Sequence, residues 1–252
     1  MSGSVERALQ ILVGLADGPA TISEIGRRLD VHRTTSLRLL RSLEDERFVR
    51  RMADGRYRLG PRMVMLAHTA LDEVDVRTVA VQHLRDLGAK HGHTIHLGAV
   101  EEDHVIYLHK VESQHAIRMY SRIGASAPLH ATGVGKAILA HATQSERDRM
   151  LGAEPFHKCT PNTMTTRQSL EHDLETTLQR GWALDDYEHE EFIHCVAAPI
   201  FDATNHATAA VSISVPSVVL DHEGLLALTP DLIDTARAIS TELGWRETRQ
   251  AE

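Results

Sequence analysis

Residues 21–59, TISEIGRRLDVHRTTSLRLLRSLEDERFVRRMADGRYRL, hold a helix, a break, a second helix and a hairpin. Thr21-Ile22-Ser23-Glu24 opens the first helix with a capping-box pattern: Thr21 caps free amides and Glu24 reaches back to the cap. Ile22, Ile25 and Leu29 then fall on one helical face, and Asp30-Val31 breaks the run. The second helix is expected at about 32–46. In it Leu37, Leu40 and Leu43 recur at spacing three, while Thr34, Arg38 and Arg41 share another face. Phe48-Val49-Arg50-Arg51 and Tyr57-Arg58-Leu59 read as short strands around the turn signal Asp54-Gly55. Helix, tight turn, basic helix and basic hairpin form the layout of a major-groove reader with a wing. In that layout Arg33, Thr34, Thr35 and Arg38 are candidates for base edges and nearby phosphates. Arg41 and Arg56 are candidates for phosphates, Arg56 from the wing tip.

The charge distribution agrees. Residues 1–62 hold twelve arginines, no lysine and eight acidic residues, a net +4. The remainder holds fifteen basic and twenty-seven acidic residues, a net −12. Duplex binding depends on the local field, so a basic head on an acidic body suits it despite the overall charge of −8. The arginine fork matches both phosphate oxygens and guanine edges.

At 252 residues the chain has room for one large or two modest domains. No apolar run approaches the roughly 20 residues needed to cross a bilayer, and the first residues lack a secretory hydrophobic stretch. Cys159 and Cys195 have no paired spacing, which fits reduced thiols in a cytoplasm.

Working outward, residues 5–16 form an amphipathic helix carrying Val5, Ala8, Leu9, Leu12 and Leu15, ended by Gly18-Pro19. It is expected to complete a three-helix core and to offer spare apolar surface for pairing two chains. Gly60-Pro61 marks a boundary, so residues 1–60 form the winged helix-turn-helix domain and 61–75 a helical linker. Residues 76–252 form a second domain, opening with a helix over 76–91. Strands are expected at 94–100, 104–111, 117–120, 182–184, 192–201 and 207–215. Helices are expected at 133–141 and at 167–180, the latter with Leu170, Leu174 and Leu178 at spacing four. A last helix is expected from Thr229-Pro230-Asp231, with Thr229 as cap and proline at the first helical position. Helices before and after hairpin-connected strands give an α+β module with an antiparallel sheet.

Several residues tempt a chemical reading. Gly133-Val134-Gly135-Lys136 resembles a phosphate loop, but His130 stands where the motif needs glycine and Ala137 where it needs a hydroxyl. The segment reads either as bare amides at a helix start that favour a carboxylate, or as a tight packing turn. Ser212 and Ser214 lie two apart on a strand and share a face, either in a pocket or against solvent. Cys195 and His194 are strand neighbours with opposed side chains, so they do not form a nucleophile–base pair. His91, His93, His96, His104 and His109 are close in sequence but match no zinc-ligand spacing. No catalytic residue, metal site or cofactor is expected.

The chain resembles the IclR family of bacterial transcriptional regulators. Residues 124–140, from Gly124-Ala125-Ser126-Ala127-Pro128-Leu129-His130 to Gly135-Lys136-Ala137-Ile138-Leu139-Ala140, follow that family's signature almost letter for letter. Cys195-Val196-Ala197-Ala198-Pro199-Ile200-Phe201-Asp202 and Ala209-Ala210-Val211-Ser212-Ile213-Ser214 resemble two further blocks. In the head, Ser4-Val5-Glu6-Arg7-Ala8-Leu9 and residues 34–40 match too. His32, Leu37 and Ile193-His194 depart from the commoner pattern. The resemblance implies a winged helix-turn-helix joined to a GAF/PAS-like effector-binding and oligomerisation domain. It implies a homodimer or dimer of dimers that binds a roughly palindromic double-stranded operator. It implies control by a small organic-acid or aromatic-acid effector, as a repressor of a catabolic or metabolic operon. An architectural DNA-binding protein whose second domain only oligomerises is the alternative. By the same resemblance Met119, Ala127, Gly133, Val134, Asp185, Ile193, Cys195, Ser212 and Ser214 are the effector-site candidates.

Overall fold

The computed structural model describes residues 3–66, 75–117 and 119–247. It divides into two compact units, residues 1–74 and 75–252. The expected linker is helical at 61–66, and its residues 67–74, including the acidic Asp72-Glu73-Val74, lie outside the described residues.

In the first unit, α1 (Gly3–Ala16), α2 (Ile22–Arg28) and α3 (Arg33–Asp45) precede a hairpin of β1 (Val49–Arg51) and β2 (Tyr57–Leu59). The capping box is formed. Thr21 Oγ1 accepts from the Glu24 amide at 3.3 Å, and Glu24 Oε2 accepts from the Thr21 amide at 2.7 Å. The turn into α3 needs a small residue, because a Cβ on Gly26 would sit 3.2 Å from both Ser36 Oγ and the Val31 carbonyl. Asp30 supplies the left-handed residue of this turn at φ 49°. The departure at His32 is constructive: its ring accepts from the Thr34 amide and caps α3. Ile11, Leu15, Ala20, Ile25, Leu39, Leu40, Val49 and Tyr57 close the core. The inward face of α3 is therefore Ser36, Leu39 and Leu40; of the expected leucines, Leu40 is buried while Leu37 and Leu43 lie part-way out. On α1, Val5, Leu9 and Val13 are 69%, 58% and 66% exposed, an apolar stripe at helical spacing.

The second unit is a six-stranded antiparallel sheet. Its strands are β3 (Thr94–Glu101), β4 (His104–Val111), β5 (Ser126–Pro128), β6 (Ala183–Asp186), β7 (Ile193–Phe201) and β8 (Ala207–Pro216), in the order β5-β4-β3-β8-β7-β6. Because side chains alternate along a strand, each strand feeds two layers. Ile95, Leu97, Val196, Ala198, Ile200, Val211 and Ile213 pack on α4 (Val76–His91) and the C-terminal helix (Thr229–Glu242). Val105, Ala183, Ala197 and Ala210 face the other way, toward α5 (Gly133–Leu139), α6 (Gln144–Leu151) and α7 (Arg167–Arg180). A short α8 (His222–Leu226) precedes the C-terminal α9.

Four details differ from the sequence reading. Residues 117 and 119–120 are not in a strand; the ammonium of Lys110 takes the carbonyls of Met119 and Ser121, so these acceptors do not enter a ladder. The strand expected at 182–184 runs Ala183–Asp186, with the Trp182 carbonyl taken by Arg180 Nε. Helix α9 begins one residue early: Thr229 is its first residue and Leu228 the cap, without a side-chain bond. On α7, Leu170 and Leu174 are buried but Leu178 is exposed.

Candidate DNA face and effector pocket

Thr34, Arg38 and Arg41 lie along α3 on its outer face, all exposed, with Arg33 exposed at its start and Thr35 half-buried. The Thr34 hydroxyl lies 2.9 Å from His32 Nδ1, which fixes its rotamer beside the helix start. Arg56 is less free than its place in the wing suggests: its Nε donates to Asp54 Oδ2 at 2.7 Å. The Arg56 amide, which donates to Asp54 Oδ1 at 3.0 Å, and then that side-chain bond hold the Asp54 carboxyl below its usual range. The sequence reading missed a pair on the wing. Arg50 and Arg58 stand directly opposite across β1 and β2, both exposed. Like charges in that position repel, and a phosphate between them would relieve the repulsion.

In the second unit, the face of the sheet toward α5 carries a cavity of about 170 Å³. Strand register assembles it: Asp185 pairs with Cys195 across β6 and β7, and Cys195 with Ser214 across β7 and β8. Residues paired this way point to the same face. Gly133 and Val134 at the start of α5 form the opposite wall, where a Cβ on Gly133 would press 3.2 Å from Ala197 Cβ. Of the nine expected effector residues, Met119, Gly133, Val134, Asp185, Ile193, Cys195, Ser212 and Ser214 line this one cavity. Ala127 does not. Its side chain is buried with Val105, Leu129 and Val134 in the adjoining apolar cluster. Tyr107, Ser121, Thr132, His189 and Glu190, which the sequence did not mark, are also among its lining residues. A broader cavity of about 850 Å³, near Glu102, Arg149 and His206, contains none of the expected residues.

The cavity mixes polar and apolar walls, and its ionisable groups lean toward their neutral forms. Burial, helped by the nearby Glu188 charge, pushes Asp185 up to about 7 against the pull of Lys136 and two amides. Asp185 Oδ1 accepts from the Glu188 amide at 2.8 Å. Burial drives the Cys195 thiol well above its ordinary value, which suits a wall and not a nucleophile. His194, on the other face, lies 3.0 Å from the Leu220 carbonyl and 3.3 Å from Tyr187 Oη. Behind the cavity Lys136 is fully buried, 2.5 Å from Glu188 Oε1 and 3.0 Å from Asp173 Oδ2. The false phosphate-loop lysine is thus an internal counter-ion. Among the described residues no three His, Cys, Asp or Glu side chains converge as a metal site. Among them, too, no helix is long and apolar enough to cross a membrane.

A winged helix-turn-helix with an arginine-lined outer face, on one chain with a sheet domain enclosing a small pocket, defines a DNA-binding regulator. Comparison with known proteins bears this out. Residues 68–241 match the family described as bacterial transcriptional regulator IclR C-terminal, and residues 1–78 match the HVO_A0261 N-terminal domain. The HTH-type transcriptional regulator XynR of Escherichia coli is 33% identical over 246 residues, covering 96% of this chain and 97% of that one. The glycerol operon regulatory protein of Streptomyces coelicolor is 35% identical, with 96% of each chain covered. The crystal structure of the Agobacterium tumefaciens repressor BlcR superposes with a TM-score of 0.83 at 28% identity, covering 97% of this chain and 98% of that one. The chain belongs to the IclR family of transcriptional regulators, with an N-terminal helix-turn-helix and a C-terminal GAF-like domain, and is not an enzyme.

Proposed function

We propose that this protein is a ligand-controlled repressor of a catabolic operon, working in the cytoplasm as a homodimer or dimer of dimers on a roughly palindromic operator. Residues 1–60 read the DNA, 61–75 link, and 76–252 sense the effector. Arg33, Thr34, Thr35 and Arg38 meet base edges and nearby phosphates, and Arg41 and Arg56 meet phosphates. The exposed stripe Val5, Leu9 and Val13 supports pairing of two heads. The repressor assignment takes its support from relatives named as repressors, among them BlcR.

The observation that carries the sensing role is the convergence of eight scattered residues on one cavity. Its size narrows the ligand. About 170 Å³ is well below the roughly 300–1,000 Å³ typical of drug-sized ligands. A small aliphatic acid fits better than an aromatic one. The amides of Gly133 and Val134 and the hydroxyls of Ser212 and Ser214 are the donors for its carboxylate. Thermal unfolding against a panel of two- to five-carbon carboxylates tests this. A ligand at 100 times its Kd adds about 2.7 kcal/mol, and Ser212→Val should abolish the shift. No shift from any small acid, or an equal shift in Ser212→Val, would overturn the pocket assignment.

A further inference from the structure

His96 does not line the cavity, yet it touches three residues that do: Tyr107, Ser121 and Ser214. It is buried on β3, on the pocket side of the sheet, since its neighbours Ile95 and Leu97 face the other layer. Its Nδ1 lies 3.2 Å from Ser214 Oγ, and its Nε2 lies 2.7 Å from Ser121 Oγ. Its cross-strand partner Lys110, whose side chain is only 6% exposed, donates to the Met119 and Ser121 carbonyls, each at 2.9 Å. The third direction of that ammonium meets Glu112 at 3.0 Å. Residues 119–121, which form one wall of the pocket, are thus held by side chains of two adjacent residues on the sheet.

The imidazole has two ways to make these bonds. With the proton on Nδ1, His96 donates to Ser214 and accepts from the Ser121 hydroxyl; the Ser214 hydrogen is then free to point into the pocket. With the proton on Nε2, Ser214 spends its hydrogen on the ring and offers the pocket only an acceptor. Burial and the adjacent Lys110 charge depress His96 to about 3, so the ring is neutral at working pH and must choose.

We propose that His96 is the specificity-determining residue of the pocket: as the Nδ1–H tautomer, accepting from the Ser121 hydroxyl, it orients the Ser214 hydroxyl as a donor and so selects an anionic, acceptor-only group over a neutral hydroxyl. This rests on the effector reading above and adds the residue that sets the chemistry. His96 is a positioning residue, because it acts through Ser214 and touches no ligand.

The test uses the full-length protein and carboxylates of two to five carbons, each beside the primary alcohol of the same chain length. Imidazole 15N spectra of the wild type bound to a carboxylate should show His96 Nδ1 protonated and Nε2 bare. His96→Phe keeps a ring against Tyr107 and removes both nitrogens. It should lower the preference for carboxylate over alcohol by about tenfold to a hundredfold, the range for one hydrogen bond to a charged group. The spectra report on the unmutated chain whether or not that variant folds. The opposite tautomer, or an unchanged preference in His96→Phe while carboxylates still bind and Ser212→Val still blocks them, would overturn this inference alone. Failure of every carboxylate to bind the wild type would remove the effector reading and this inference with it.

Discussion

Replacing Lys136 with methionine removes a buried cation from between two carboxylates. Lys136 is fully enclosed, Glu188 is 5% exposed and Asp173 23%. Glu188 already sits above its ordinary value through burial, with Lys136 as the main opposing influence. In Lys136→Met nothing replaces that influence, and removing one partner of a buried pair generally destabilises by about 3–5 kcal/mol. For a domain of this size each kcal/mol moves Tm by roughly 2–4 °C, so the loss is on the order of 6–20 °C. The sign with pH is fixed. Without Lys136 the folded-state pKa of Glu188 rises further above the unfolded value. The native state then binds more protons than the unfolded one across that interval, and stability falls as pH rises, by up to about 1.4 kcal/mol per pH unit. Thermal unfolding by circular dichroism at pH 5.5 and pH 8 measures this. The deficit relative to wild type should be larger at pH 8, and the additional change Glu188→Gln should recover much of it. A deficit equal at both pH values, or a Tm loss under about 2 °C, would refute the counter-ion role.

Other consequences are equally specific. Arg38→Ala should weaken binding to the true operator by about 1–3 kcal/mol and relax preference at one position. Arg56→Ala should weaken all duplexes alike and reduce the salt slope by roughly one; anisotropy titrations at several salt concentrations separate the two. Gly135→Ala should lower Tm, because the new Cβ would lie 2.1 Å from the Leu129 carbonyl oxygen, a backbone atom that cannot swing aside. An unchanged melting curve would contradict that packing. Since Asp185 lies at about 7, an anionic effector should bind with proton uptake there, and its Kd should rise from pH 6 to pH 8. Calorimetry should show that rise flattened in Asp185→Asn.

What the sequence disclosed divides by range. The capping box at Thr21 and Glu24 was legible because both its bonds span three residues. The outer face of α3 followed from helical period alone. The pocket was a different matter. Ser212 and Ser214 reveal a shared face, but only strand register brings Asp185 and Cys195 beside them, and local sequence does not encode register across strands. Those residues came from resemblance to a family. Lys136 was read only as a failed phosphate loop, since its partners Asp173 and Glu188 lie far along the chain. His96 was grouped with neighbouring histidines that match no zinc-ligand spacing and was given no role, whereas its partners Ser121 and Ser214 are contributed by a loop and a distant strand. The non-strand character of residues 119–120 depends on Lys110, again a tertiary contact.

The central claim is that filling the pocket changes the grip of the arginine-bearing head on DNA. Its most direct test is fluorescence anisotropy of the protein on its operator, titrated with the carboxylate that raises Tm, for the wild type and for Ser212→Val. The account predicts a change in operator affinity for the wild type and none for the variant. An operator affinity indifferent to a ligand that demonstrably occupies the pocket would contradict it.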